Sequence, residues 1–115
     1  MKKLFIIALL VIGLVSPVFA DDSINSGEKT ADAAVFAGPC VITSILIITD
    51  GTNNAKVILY DHASAASGTV RYETTVLGGD NYGGRLWTFP ATFYNGIYAD
   101  VSGTGASYII EYIPR

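Results

Sequence analysis

Apolar and polar residues alternate along much of the chain in short runs separated by turn-forming residues. Cys40–Thr49 is rich in β-branched residues and apolar on both faces near its middle, which predicts a central strand. Ala55–Asp61 predicts the next strand, and Thr69–Leu77 has the two-residue period of a half-buried strand. Short strands separated by turns every ~8–12 residues are typical of all-β folds.

The C-terminal third continues this pattern. Arg85–Phe89 predicts a short strand that Pro90 either ends or places on a sheet edge, because proline cannot donate to a central ladder. Ile97–Val101 and Ala106–Ile113 flank a Ser-Gly-Thr-Gly turn and are expected to form a closing hairpin.

These segments, with Ala33–Ala37 as a first edge strand, predict an all-β fold: an antiparallel β-sandwich, jelly-roll-like, of seven to eight strands. The Asp-Gly-Thr-Asn-Asn turn after Thr49 predicts that the two strands beside it pair as a hairpin. His62–Gly68 is expected to connect the two sheets. The expected core includes Val41, Leu46, Ile48, Val57, Leu59, Val70, Tyr72, Ile97, Val101, Ile110 and the body of Trp87.

The N-terminus has the pattern of a cleaved secretory signal peptide. Two lysines precede the 12-residue apolar run Leu4–Val15, and small residues occupy the −3 and −1 positions at Val18 and Ala20. This run is shorter than the roughly 20 residues that a membrane-spanning helix needs. The chain therefore divides into a signal peptide (1–20), a flexible acidic leader (21–32) and a β-sandwich domain (33–115).

Charge narrows the classes of partner. Without Lys2 and Lys3 the chain keeps 5 of its 7 basic residues and all 10 acidic residues, a net charge of −5. Such a charge disfavours nucleic-acid binding through a basic patch. The mature form is expected to have no membrane span and to be periplasmic, secreted, cell-surface or virion-associated.

Residues with catalytic or metal-binding chemistry are few. His62 is the only histidine, which excludes a cluster of histidine ligands, and it is expected in a loop. Cys40 is expected to be a small buried side chain, with an intermolecular crosslink as the alternative. The turn Asp50–Asn54 could offer oxygens to calcium, although a plain turn explains it as well. Asp80, Asp100 and Glu111 are scattered, so we expect neither cofactor nor enzymatic activity.

Aromatic residues cluster around the Gly-Gly-Asp-Asn-Tyr-Gly-Gly segment and Pro90. One interpretation fills the core with Trp87 and Phe89 and places the tyrosines at its rim. The other forms an exposed platform for sugar rings or a neighbouring subunit. The candidate binding or assembly surface comprises Tyr82, Trp87, Phe93, Tyr94, Val35 and Phe36.

Two long segments resemble small β-rich proteins encoded by bacteriophages and prophages. They are VFAGPCVITSILIITDGTNNAKVILYDHASAASGT and NGIYADVSGTGASYIIEYI, which together extend over most of the predicted domain. The resemblance implies a virion-surface or virion-structural role of the decoration or tail type, with no catalytic residues to transfer.

We therefore expect an exported, non-enzymatic structural module that packs against copies of itself or against another surface or virion protein. The alternative is a secreted or surface adhesin that binds carbohydrate through the aromatic platform.

Overall fold

The computed structural model describes residues 23–115, and the predicted signal peptide lies outside them. The described chain is all-β, with eight antiparallel strands and one short 3₁₀ helix at Gly78–Asp80. This confirms the prediction of an all-β fold of seven to eight antiparallel strands. The strands are β1 (Ile24–Asn25), β2 (Ala33–Ala37), β3 (Cys40–Ile48), β4 (Ala55–Asp61), β5 (Thr69–Val76), β6 (Tyr82–Phe93), β7 (Gly96–Ser102) and β8 (Ser107–Pro114).

The strands form two four-stranded sheets. The order is β1-β8-β3-β6 in the first, here called the β3 sheet, and β2-β7-β4-β5 in the second, the β4 sheet. Among the described strands, β4 and β5 are the only consecutive pair within one sheet, and every other connection crosses between the sheets. The pairing is nested: β4 with β5, β3 with β6, β2 with β7 and β1 with β8.

This topology corrects three sequence predictions. β3 and β4 do not form a hairpin, because β6 and β8 occupy both edges of β3. β7 and β8 do not form one either, because β7 lies between β2 and β4. The segment His62–Gly68, predicted to connect the sheets, joins the hairpin strands β4 and β5.

One hydrophobic core takes side chains from both sheets, which gives the fold a β-sandwich-like arrangement. The expected core residues Val41, Val57, Leu59, Ile97 and Ile110 are buried. Ile48, Tyr72, Trp87 and Val101 are only partly buried. The largest fully buried side chains are Tyr108, Phe93, Ile42, Ile47, Leu59, Ile97, Ile110, Val57 and Cys40.

Leu46 and Val70 were expected in the core and are exposed instead, by 40% and 45%. In β3 the cause is a bulge at Thr43, where the register against both neighbouring strands shifts between Ile42 and Ser44. An extra residue reverses the side-chain alternation, so Ile45 and not Leu46 faces the core. In β5 the register against β4 shifts at Arg71, so Val70 pairs with the outward-facing Tyr60 and lies on the outer face of the β4 sheet.

The predicted strand at Arg85–Phe89 is longer in the structure. β6 extends from Tyr82 to Phe93 through Pro90, on the edge of the β3 sheet. Ala91 pairs with Ile42 and Leu86 with Ser44, so Trp87, Thr88, Phe89 and Pro90 bulge out opposite Thr43 alone. An edge strand accepts proline because its outward N–H groups have no partner to lose.

The predicted flexible leader is ordered along β8 in the part that the structure describes. Ile24 pairs with Tyr112, and the Ser26 N–H donates to the Ile110 carbonyl at 2.8 Å. Lys29 and Tyr108 exchange two backbone hydrogen bonds of 2.9 Å each. These bonds satisfy the outer edge of β8, which explains why a polar segment lies in an edge position.

Three connections meet at one end of the fold, here called the Thr49 end: residues 49–54, 77–81 and 103–106. The buried Thr49 hydroxyl lies 3.1 Å from the Gly78 carbonyl oxygen and accepts a 3.1 Å hydrogen bond from the Gly51 N–H. A side chain at Gly78 would overlap the backbone of Thr52, and one at Gly103 would overlap that of Asn54. These connections therefore contact one another backbone to backbone.

The opposite end, here called the Asp61 end, contains residues 38–39, 62–68 and 94–95. The buried Asp61 carboxylate accepts hydrogen bonds from the Asn95 N–H at 2.7 Å and the Tyr94 N–H at 3.1 Å. Arg71 forms an ion pair with it at 3.3 Å. A single charged side chain thus holds the β6–β7 turn onto β4.

Candidate interaction surfaces

The structure separates the six residues predicted to form one surface. Tyr82 and Tyr94 are exposed, by 68% and 65%. Trp87 is half-buried, and Phe93 is fully buried and belongs to the core. Val35 and Phe36 lie half-buried in β2, where the Phe36 ring is 5.3 Å from that of Tyr112. Phe93 therefore contributes to no surface, because its pairing with Cys40 places it between the sheets.

A second surface, the β5–β6 side, lies where the free edges of the two sheets come together. The rings of Tyr72 and Trp87 meet edge to face at 5.2 Å, and the Arg85 guanidinium lies 5.1 Å from the Trp87 ring. The Arg71 guanidinium lies 5.5 Å from the Tyr94 ring. The Tyr72–Trp87 contact joins β5 to β6, and the Arg71–Tyr94 contact joins β5 to the residue directly after β6. Leu86 and Phe89 of β6 and Tyr94 directly after it are exposed apolar side chains.

Phe89 and Leu86 are the most exposed large apolar residues of the described chain, at 86% and 79%. Phe89 lies in the four-residue bulge of β6, which moves it away from the sheet. The interpretation that fills the core with Phe89 is therefore wrong, because the register of β6 against β3 places this residue in the bulge, where it is exposed.

The outer face of the β3 sheet carries a groove of about 530 Å³. It crosses β1, β8, β3 and β6, and Tyr82, Leu46 and Leu86 provide its apolar surface. Asn25, Ser44 and Glu111 lie side by side on three adjacent strands, since Glu111 pairs with both of the others. We call this feature the β3-sheet groove.

The outer face of the β4 sheet is charged. Lys56 and Glu73 form an ion pair at 2.9 Å across β4 and β5. Asp32 accepts a 2.8 Å hydrogen bond from the Val101 N–H beside Asp100. Burial, followed by the charge of Asp32 and a hydrogen bond with it, raises the pKa of Asp100. The two outer faces thus differ in polarity.

The buried and reactive side chains have structural partners. The His62 Nδ1 atom accepts hydrogen bonds from the N–H groups of Ser64 and Ala65 at 3.1 and 3.0 Å, consistent with a loop residue. Burial, and then the charge of Asp61, raises the pKa of the Cys40 thiol to about 11. A buried thiol of high pKa is unreactive, which disfavours the crosslink.

The carboxylate oxygens of Asp50 accept hydrogen bonds from within its own turn. Asp50 accepts hydrogen bonds from the Asn53 N–H at 2.7 Å, from the Asn53 side-chain amide at 2.7 Å and from the Thr52 N–H at 2.9 Å. These bonds lower the pKa of Asp50, the Asn53 backbone bond most of all. The carboxylate therefore caps its own turn, which explains the residues without a calcium ion.

The acidic residues considered for hydrolysis lie apart. Asp80 is in the 3₁₀ helix at the Thr49 end, Asp100 faces outward on the β4 sheet and Glu111 faces outward on the β3 sheet. Within residues 23–115, no three His, Cys, Asp or Glu side chains are grouped closely enough to hold a metal ion. No helix in this part of the chain is long and apolar enough to cross a membrane.

Comparison of the chain with protein families, with curated proteins and with solved structures found no match. The function of the protein is therefore inferred from the surfaces described above.

Proposed function

We propose that the protein is an exported, non-enzymatic structural module that assembles by packing its β5–β6 side against a second copy of the chain. The observation that carries this proposal is the exposure of Phe89 by 86%, on a bulge of a free edge strand. Burying one such side chain contributes about 1.5–3 kcal/mol. Protruding aromatic side chains of this kind commonly anchor protein interfaces.

The free backbone of β5 and β6 supports the same conclusion. Both strands are sheet edges, and unpaired edges are a common means of strand-to-strand association. Leu86 and Phe89 of β6 and Tyr94 directly after it add exposed apolar surface that a partner could cover. The aromatic pairs with Arg71 and Arg85 keep this side rigid, which lowers the entropy lost on association.

We further propose that the two sheets form a jelly roll. The support is the nested pairing, in which the chain is folded about the β4–β5 hairpin and successive pairs alternate between the sheets. Jelly rolls occur in viral capsid proteins, which agrees with the resemblance to phage-encoded virion proteins. Export is proposed from the N-terminal sequence.

Sedimentation equilibrium over a concentration series tests the assembly. We expect the wild-type protein to associate, and the variant Phe89→Ser to weaken the association constant about tenfold or more. Leu86 is left unchanged because it also lines the β3-sheet groove.

The matched control is Ile24→Ser, which removes an exposed apolar side chain from the opposite edge of the β3 sheet. It should leave association unchanged, and circular dichroism should show the same fold for all variants. A wild-type protein that stays monomeric at about 1 mM, or an equal loss in both variants, would refute the proposal.

A further inference from the structure

The β3-sheet groove is a separate feature from the β5–β6 side, and it is unlike either a plain apolar patch or a charged pocket. Its volume of about 530 Å³ lies within the range of about 300–1,000 Å³ that is typical of small-molecule sites. Its residues come from four adjacent strands of one sheet. A groove built on regular strands keeps its shape without a ligand.

The β6 side of the groove is apolar. The Tyr82 ring is 68% exposed, and Leu46 on β3 and Leu86 on β6 flank the glycine between them. Gly84 has a φ of 147°, and a side chain there would overlap the Ile45 carbonyl. The missing side chain at Gly84 leaves the space between Tyr82 and Leu86 open, so a flat apolar surface can reach the sheet.

The β1–β8 side of the groove combines the apolar Ile109 with polar side chains. Asn25 and Glu111 are separated by 3.5 Å between Nδ2 and Oε1, a distance too long for a strong hydrogen bond. Ser44 lies next to Glu111 on the neighbouring strand. An amide, a hydroxyl and a carboxylate in one row provide both donors and acceptors at fixed spacing.

The formal charge of the groove is zero. Glu111 is its one carboxylate, and the guanidinium of its one basic residue, Arg85, lies against the Trp87 ring. Glu111 and Arg85 carry opposite charges, so the groove has no net charge that would favour an anionic or a cationic ligand. The matching ligand is neutral, with one apolar face and a rim of hydroxyl groups.

A pyranose ring has this combination, because its C–H groups form an apolar face and its hydroxyls project from the edge. We propose that the β3-sheet groove binds neutral pyranose units of a glycan, with Tyr82 against the ring and Asn25, Ser44 and Glu111 on the hydroxyls. This site goes beyond the proposed assembly function and does not depend on it.

Isothermal titration with three neutral tetrasaccharides, cellotetraose, maltotetraose and chitotetraose, tests the proposal. Each sugar is added to about 10 mM, which reaches weak sites with dissociation constants of about 1 mM. We expect at least one sugar to bind, and Tyr82→Ala or Glu111→Ala to weaken it about tenfold. Tyr82→Phe should keep most of the affinity, because the ring and not its hydroxyl makes the contact.

The matched control is Tyr94→Ala, which removes an equally exposed tyrosine outside the groove and should leave sugar binding unchanged. The proposal is overturned if none of the three sugars binds, or if Tyr94→Ala weakens binding as much as Tyr82→Ala. It is also overturned if Tyr82→Ala changes only the sedimentation mass, since the groove would then be a contact between copies. Failure of the Phe89→Ser test would leave it unaffected.

Discussion

The Thr49 end and the Asp61 end hold the same kind of connection by different means. At the Thr49 end, close backbone contacts at glycines and the uncharged Thr49 hydroxyl hold the connections that cross between the sheets. At the Asp61 end one ionised carboxylate holds the β6–β7 turn. The Thr49 end depends on close backbone packing and the Asp61 end on an ionised carboxylate. Added side-chain atoms should therefore destabilise the first, and loss of the charge or acid pH should destabilise the second.

The Asp61 carboxylate remains ionised although its side chain is buried. Burial alone would raise the pKa of Asp61, but the hydrogen bonds from Asn95 and Tyr94 and the charge of Arg71 outweigh it, and the pKa lies below its usual value. A carboxylate that is better stabilised in the folded chain contributes to stability only while it is ionised.

The largest effect is expected at the Thr49 end, from Gly78→Ala. The added methyl group would overlap the Thr52 backbone, so one loop must move and the Thr49 hydrogen bonds would be strained. We expect the free energy of unfolding to fall by about 3 kcal/mol or more, measured by chemical denaturation. Gly79→Ala is the control, because nothing lies near its side-chain position. Equal losses in both variants would show that the close approach is unimportant.

A somewhat smaller effect is expected from Asp61→Asn. The variant loses the charge that accepts two backbone hydrogen bonds and pairs with Arg71, which should cost about 2 kcal/mol at neutral pH. Because Arg71 is partly exposed, solvent screens its share of that loss. Glu73→Gln, which removes an exposed ion pair with Lys56, should cause no measurable change.

The pH dependence separates this effect from simple loss of packing. Since the folded pKa of Asp61 is lowered, its contribution is complete above the unfolded value of about 3.9 and is lost as the pH falls through the folded value. The difference in unfolding free energy between wild type and Asp61→Asn should therefore shrink below about pH 4. A difference that stays constant down to acid pH would contradict the electrostatic explanation.

The smallest effect is expected from Thr49→Val, which keeps the shape of the side chain and removes the hydroxyl. The Gly51 N–H loses its acceptor and the Gly78 carbonyl keeps only the Asn81 N–H as a donor, which should cost about 1–2 kcal/mol. Because no charge is involved, this cost should not change between pH 3 and pH 7. Thr75→Val on the exposed face of β5 serves as the control, and a loss as large there would rule out a special role for Thr49.

Local patterns predicted the strands well and their pairing poorly. Ala55–Asp61 is a strand with the bounds read from the sequence, since β-branched residues and alternation are local properties. The Asp50-Gly51 turn is equally compatible with a hairpin and with a crossover, and the choice depends on which distant strands occupy the edges of β3. The short hairpin predictions were therefore wrong although their turns were correctly located.

The candidate site was also hard to predict, because residue type alone gives neither burial nor strand register. Tyr82 and Tyr94 are exposed as a surface role requires, but Phe93 has the same aromatic character and is buried. The β3-sheet groove could not be found from the sequence, because Asn25, Ser44 and Glu111 are far apart along the chain and meet only through strand register. The bulge at Thr43, which turns Leu46 outward into the groove, has no local sequence signal that we recognise.

The nested pairing has a consequence for how the chain reaches its folded state. The β4–β5 hairpin closes a short loop, whereas each later pair closes a longer one, and the entropy lost on closure grows with loop length. Folding is then expected to start in the middle of the chain and to be slow, as for other proteins rich in distant contacts. β8, the last strand, inserts between β1 and β3, so the β3 sheet cannot be completed before the C-terminal segment has been synthesised and released.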